Sequence, residues 1–206
     1  SKFDEQLALL NRDLTKMGSL CEEALALAAK ALANADGQTA AKIAPIDSEI
    51  DQMERTIESL CLKLLLQQQP VARDLRQISA ALKMITDMER IGDQASDIAE
   101  IIGFLNGRIG TDAQYICQMA VAAMRMVTES VEAYVKRDVA MAEATIQHDD
   151  VVDDLFLKVK ESLIQMISAN PKDGEYALDL LMIAKYFERI GDHAVNIAEW
   201  VIFAIT

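Results

Sequence analysis

The chain has 206 residues, 51% hydrophobic but only 5% aromatic, and 33 acidic against 20 basic residues leave a formal net charge of −13. That size and apolar content suffice to bury one or two cores, and the dominance of Ala, Leu, Ile and Met over Gly, Pro and aromatics favours helices over strands. A field of this sign repels nucleic acid and anionic lipid and attracts cations and basic surfaces, so no nucleic-acid role is expected.

Helix stop and start signals, Gly after an end and Pro or Asp near a start, divide the chain. They fall at 34–37, 69–70, 103–112, 136–138 and 170–174, and leave six helical segments: 3–34, 38–69, 71–106, 112–136, 139–169 and 173–205. Long helices joined by short connections run antiparallel to their neighbours.

In the second segment, Ile43, Ile46, Ile50, Met53, Ile57, Leu60 and Leu64 step by three and four, as a coiled-coil-like seam does. Pro45 lies early in it and marks either a later start or a kinked first turn. In the third, Leu75, Ile78, Leu82 and Ile85 form an apolar stripe whose stepping runs on to Glu89. A second stripe, Met84, Met88, Ile91, Ala95, Ile98 and Ile102, carries the packing past that point. Gly92 and Gly191 fall mid-helix, where Gly costs ~1 kcal/mol against Ala. Gly makes sense there if another backbone or a bound group approaches closely. The apolar end of the last segment, AEWVIFAIT, is short of the ~20 residues that span a bilayer, and no signal peptide is seen. A soluble, cytoplasmic protein is expected. Cys21, Cys61 and Cys117 match neither a zinc spacing nor a disulfide framework and read as small buried thiols.

The halves repeat each other. ERIGDQASDIAE (89–100) matches ERIGDHAVNIAE (188–199) at nine of twelve positions, and IDSEIDQM (46–53) corresponds to HDDVVDDL (148–155) in the same order. Two matched blocks in nearly one register indicate a duplicated unit. The expected fold is all-α: two tandem, repeat-related three-helix bundles, residues 1–106 and 111–206, built from six long antiparallel helices.

Acidic residues recur four apart on these helices, which places them on one face. The pairs are Asp47 with Asp51, Glu89 with Asp93, Asp93 with Asp97, Asp149 with Asp153, and Glu188 with Asp192. Each pair destabilises a bare helix by ~0.2–0.5 kcal/mol. A single pair reads as a solvated face balanced by Arg55, Arg90 and Arg189. The duplicated set points instead to carboxylates that converge and then need protons or a cation. All-oxygen ligands suit hard cations, Mg²⁺, Mn²⁺, Ca²⁺ or iron, better than zinc. His148 and His193 adjoin the acidic motifs as neighbours rather than ligands.

QPVARDLR (69–76), ALKMITDMERIGDQASDIAE (81–100) and FERIGDHAVNIAE (187–199) together resemble the signature of the PhoU family of phosphate-transport regulators, across essentially the whole chain. The resemblance implies two three-helix bundles with multinuclear metal sites, iron, Mn or Mg favoured over zinc. It assigns Asp47, Asp51, Glu89, Asp93 and Asp97 as ligands in the first half and Asp149, Asp153, Glu188 and Asp192 in the second. It also implies a negative regulator of phosphate uptake and signalling. Such a protein works at the membrane without inserting, beside the ATPase of the phosphate ABC transporter and its sensor histidine kinase, and is commonly a homodimer. Two departures stand out: Asn196 replaces Asp97, and NPKDGEYALD replaces the PVARDLR turn, so Arg73, Asp74 and Arg76 have no counterpart. Those three either brace the helix junction or contact a partner.

Two other readings compete. A di-metal carboxylate enzyme on a bundle typically adds Glu-x-x-His pairs, and neither His stands three residues after a Glu. No nucleophile elbow, phosphate loop or dinucleotide fingerprint occurs. The expectation is therefore not an enzyme. The remaining reading is a helical scaffold whose acidic pairs bind nothing.

Overall fold

A computed structural model describes residues 1–67, 69–108 and 113–206. Among these it contains seven α-helices and no strand: α1 (Lys2–Asn34), α2 (Gly37–Ala40), α3 (Ile43–Gln67), α4 (Ala72–Phe104), α5 (Gln114–Lys136), α6 (Val139–Ala169) and α7 (Gly174–Ile205). Residues 68, 111 and 112, where the second segment, the second bundle and the fourth segment were expected to run or begin, lie outside the described residues.

The six long helices are those expected, with one correction. The segment expected from 38 is broken into α2 and α3. Pro45 therefore marks a later start: it is the third residue of α3, where a backbone N–H would have no helical partner to lose. The stop at the end of α1 also differs from expectation. Ala35, not Gly37, takes the left-handed conformation (φ 52°), and Asp36 N–H closes on the Ala31 carbonyl at 2.9 Å. The same device ends α5, where Arg137 has φ 53° and Asp138 N–H reaches the Ala133 carbonyl at 2.9 Å. In both turns the following Asp caps the next helix: Asp36 accepts from Gln38 N–H at 3.0 Å and Asp138 from Met141 N–H at 3.0 Å. The duplication thus extends to turn geometry.

α1, α3 and α4 form one bundle and α5, α6 and α7 the other. The bundles join through repeat-equivalent helices, α4 against α7 and α1 against α5, and their buried side chains make one continuous core. Ile43, Ile50, Ile57 and Leu64 of the α3 seam are fully buried, as are Met84, Met88, Ile91, Ala95 and Ile98 of α4. Leu75, in the first turn of α4, is not part of this core: it is 44% exposed. Cys21 and Cys61 are buried thiols whose pKa burial raises to about 12, and Cys21 donates to the Met88 carbonyl at 3.4 Å. Cys117 is only half-buried, because it lies over a surface groove between α5 and α6 rather than in the core.

The α1–α5 junction depends on a glycine that the sequence reading did not single out. A Cβ on Gly18 would stand 2.9 Å from Val131 Cγ1, and a β-branched side chain has little freedom to retreat. Gly18→Leu is expected to destabilise the fold by about 1–3 kcal/mol through overpacking. Val131→Ala in the same chain should recover part of that loss, as read from urea unfolding followed by circular dichroism.

Candidate metal centre

The acidic residues of the first half meet where α3 crosses α4. Asp47 and Asp51 face α4 because the α3 seam, Ile43 to Ile50 to Ile57, fixes the rotation of their helix. Gly92 lets the helices close: a Cβ there would lie 2.8 Å from Asp47 Oδ1 and 3.0 Å from Ile50 Cδ1. The Gly in ERIGD is thus the vacancy into which an acidic side chain projects, where a backbone or a bound group was expected. Carboxylate oxygens of Asp47, Asp51 and Asp93 lie within 4.8 Å of one another. Asp47 Oδ1 and Asp51 Oδ1 are buried and, among the described residues, accept no hydrogen bond. Two orphaned acceptors facing a third carboxylate fit a hard cation, which takes oxygen ligands in such sets.

The electrostatics agree. Asp47 is pushed up to about 6, first by burial, then by the charges of Asp93 and Asp51 and a hydrogen bond with Asp93. Glu89 rises to about 8, first by burial, then by its hydrogen bond with Asp93 and that group's charge, with Glu54 and Asp51 adding to it. Asp97 is raised by burial and by Asp93, against a pull from Arg189. Glu54 is raised by burial, Asp51, Glu58 and Asp93, against Arg55. The structure thus brings Asp47, Asp51 and Asp93 together, with Glu89, Asp97 and Glu54 near enough to feel the charge of Asp93.

The second half repeats the frame more loosely. Asp149 Oδ1 is again a buried acceptor without a hydrogen-bond partner among the described residues, and a Cβ on Gly191 would lie 3.2 Å from it. Burial and the charge of Asp153 lead the rise of Asp149 to about 6. Asp153 and Asp192 are exposed, however, whereas their counterparts Asp51 and Asp93 are half-buried. Glu188 is already engaged by Lys185 Nζ at 2.5 Å. Asn196 donates to Asp87 at 3.1 Å across the α4–α7 contact, and His193 Nδ1 lies 2.9 Å from the same carboxylate. His148 Nδ1 lies 3.1 Å from Glu129 on α5. Both histidines thus neighbour the acidic motifs while being held by other acids.

This geometry has relatives. The PhoU domain matches residues 14–102 and 116–201. The chain belongs to the PhoU family. A PhoU homolog from Clostridium acetobutylicum, described as a phosphate-specific transport system accessory protein, is 36% identical over 99% of this chain and 94% of its own length. The crystal structure of PhoU from Pseudomonas aeruginosa superposes with a TM-score of 0.94 at 33% identity, covering 98% of each chain. The phosphate transport system regulatory protein PhoU from Streptococcus pneumoniae gives 0.88 at 26% identity, covering 99% of this chain and 97% of its own.

Within this PhoU frame, Glu54 is the residue that pairwise reading missed. It follows Asp51 by three positions on the same face, so the spacing was present. Its repeat-equivalent, 102 positions on, is Phe156, so a search for acids kept in both halves passes over it.

The raised carboxyls set a pH dependence for the cation-free protein. Asp47, Asp149 and Glu89 bind protons more tightly folded than unfolded. Their stabilising contribution is complete below the unfolded carboxyl range and is lost as pH rises through about 6 and then about 8. With chelator present, the melting temperature should fall from about pH 5 to about pH 8.5. Glu89→Gln should flatten the upper part of that fall, and differential scanning calorimetry reads both.

Proposed function

We propose that this chain is a regulatory accessory protein of a phosphate-specific transport system that holds a hard cation in its first acidic cluster. Relatives named for that transport system, alike over nearly the full length, support the accessory role. The observation that carries the metal reading is the pair of orphaned oxygens on Asp47 and Asp51 facing Asp93. Asp47, Asp51, Glu89, Asp93 and Asp97 would hold the cation, with the looser set Asp149, Asp153, Glu188 and Asp192 in the second half. Iron, Mn²⁺ or Mg²⁺ suits the all-oxygen donors better than zinc. A bound cation would supply fixed positive charge on an acidic surface and a bridge for anions that the bare chain repels.

The regulatory part of the reading is a cytoplasmic homodimer that acts as a negative regulator beside the transporter ATPase and the sensor histidine kinase. Its contact with the membrane is peripheral: no helix among the described residues is long and apolar enough to cross one. The di-metal enzyme reading gains no support, since both histidines are turned to Asp87 and Glu129.

Elemental analysis of protein purified without chelator and then dialysed with Mn²⁺ tests the metal reading. Glu89→Gln with Asp93→Asn should lower bound metal by tenfold or more, on the order of what lost supporting contacts cost a metal site. A wild-type chain that retains no metal sinks this part of the proposal. Deleting the gene should raise phosphate-responsive expression under phosphate sufficiency, and unchanged expression would sink the regulatory part.

A further inference from the structure

The turn from α3 to α4 carries charges and apolar side chains that the fold leaves unused. Arg73, Asp74 and Arg76 have no counterpart in the second half, and no polar contact of theirs braces the bundle junction. Gln77 is the brace: the Tyr134 hydroxyl donates to its carbonyl at 3.0 Å and Arg137 Nη1 to its side-chain oxygen at 3.4 Å. Arg73, Asp74, Arg76 and Lys63 make no hydrogen bond or ion pair among the described residues. Arg76 Nε is shielded from water without an acceptor, a cost that turning the guanidinium to an outside carboxylate would remove. Beside these cations stand four exposed aliphatic side chains in two pairs, Leu62 with Leu66 and Val71 with Leu75, and Leu66 and Val71 are 81% and 68% exposed. Single apolar side chains on a surface are ordinary, but four at one turn form a patch. The α6–α7 turn is built differently. Asn170 accepts from the Lys172 N–H at 3.2 Å, Arg108 is bonded to Asp173 at 2.9 Å, and no large apolar side chain from 165 to 177 is exposed. The hairpin of this repeat thus closes without an apolar, cationic tip.

We propose that the α3–α4 tip is a docking surface for an acidic, amphipathic segment of a partner protein. The apolar side chains of that segment lie against Leu62, Leu66, Val71 and Leu75, and Arg73, Arg76 and Lys63 take its carboxylates. The existence of a partner rests on the accessory role proposed above. Charge selects the occupant. Residues 62–76 carry three cations and one acid in a chain of net charge −13, and the acid, Asp74, is half-buried where Arg73 is exposed. The neighbouring helices do not cancel this excess. Residues 1–13 carry two cations against three acids, and residues 132–138 two against two. Glu199 near the end of α7 is answered by Lys83 of α4, whose Nζ lies 6.0 Å from the centre of the adjacent Trp200 ring. A guanidinium binds a carboxylate through two parallel hydrogen bonds, so two unpaired arginines at an apolar tip recognise acids set among apolar residues. A sheet of anionic lipid supplies anions as well, but it also faces the rest of this acidic chain. A short segment meets the tip alone, within a screening length of ~8 Å.

A random peptide library displayed on phage probes the surface without assuming a partner. It is depleted on Leu66→Ser with Val71→Ser and then selected on the wild-type chain, with circular dichroism to confirm that each variant folds. The recovered peptides should share carboxylates interleaved with apolar residues. A synthetic peptide of that sequence should bind Arg73→Glu with Arg76→Glu roughly tenfold or more weakly than wild type. No recovered binder, a consensus without acids, or equal binding to the arginine variant overturns the proposal. Wild type that floats with phosphatidylglycerol vesicles while the arginine variant stays behind gives the surface to lipid, and a dimer lost only in that variant gives it to a second copy; either result overturns it. In cells, the arginine variant should reproduce the effect of gene deletion on phosphate-responsive expression. A deletion with that effect and a variant without it overturns the docking surface alone, whereas a deletion without effect overturns the accessory role as well.

Discussion

Carboxylates withdrawn from water at one helix crossing cannot all stay ionised without a positive charge to face them. The rest of the molecule is arranged around that constraint. Gly92 gives up its side chain so that Asp47 can lie against α4. The apolar seam on either side keeps the helices from separating to relieve the repulsion. The magnitudes allow this. Each buried aliphatic side chain contributes about 1.5–3 kcal/mol, while the raised carboxyls Asp47 and Glu89 limit their cost by holding protons. Ile43, Ile50 and Ile57 on one helix and Ile91, Ala95 and Ile98 on the other are fully buried, so the core outweighs the acids it carries. The site is a local stress held in place by a surplus of packing.

The pairing of equivalent helices sets the two clusters on either side of one junction. α4 carries Glu89, Asp93 and Asp97, and it packs against α7, which carries Glu188 and Asp192. Asp87, two residues before Glu89, meets His193 and Asn196 beside Asp192. Tyr134 near the end of α5 donates to the Gln77 carbonyl near the start of α4 at 3.0 Å, a second tie between the halves. With one continuous core beneath them, the two clusters sit on the shared walls of a single body rather than on separate lobes.

The sequence was a good guide where local periodicity governs. The helices, their antiparallel course, the α3 and α4 seams and the duplicated acids all follow from spacing along one chain. It was a poorer guide at ends and junctions. Ala35 and Arg137 adopt a conformation that their side chains do not advertise, because the turn that follows needs it. Gly18 looked like any helical glycine until α5 was laid across it. Glu54 lay in plain sight, three residues from Asp51, but its own helix did not show that Asp93 of α4 lies near enough to act on it.

The sequence by itself determined that the protein is helical, duplicated and acidic along matched faces, since helical period and repeat register are properties of one chain. Only the tertiary structure decided how far each of the matched acids is covered. Whether an acid is half-buried like Asp93 or exposed like Asp192 depends on what neighbouring helices cover. Whether Glu188 is free or bonded to Lys185 depends on a side chain held over Phe156 from another helix. ERIGD occurs twice in the sequence, but its chemistry is set by the contacts around each copy, and those contacts differ.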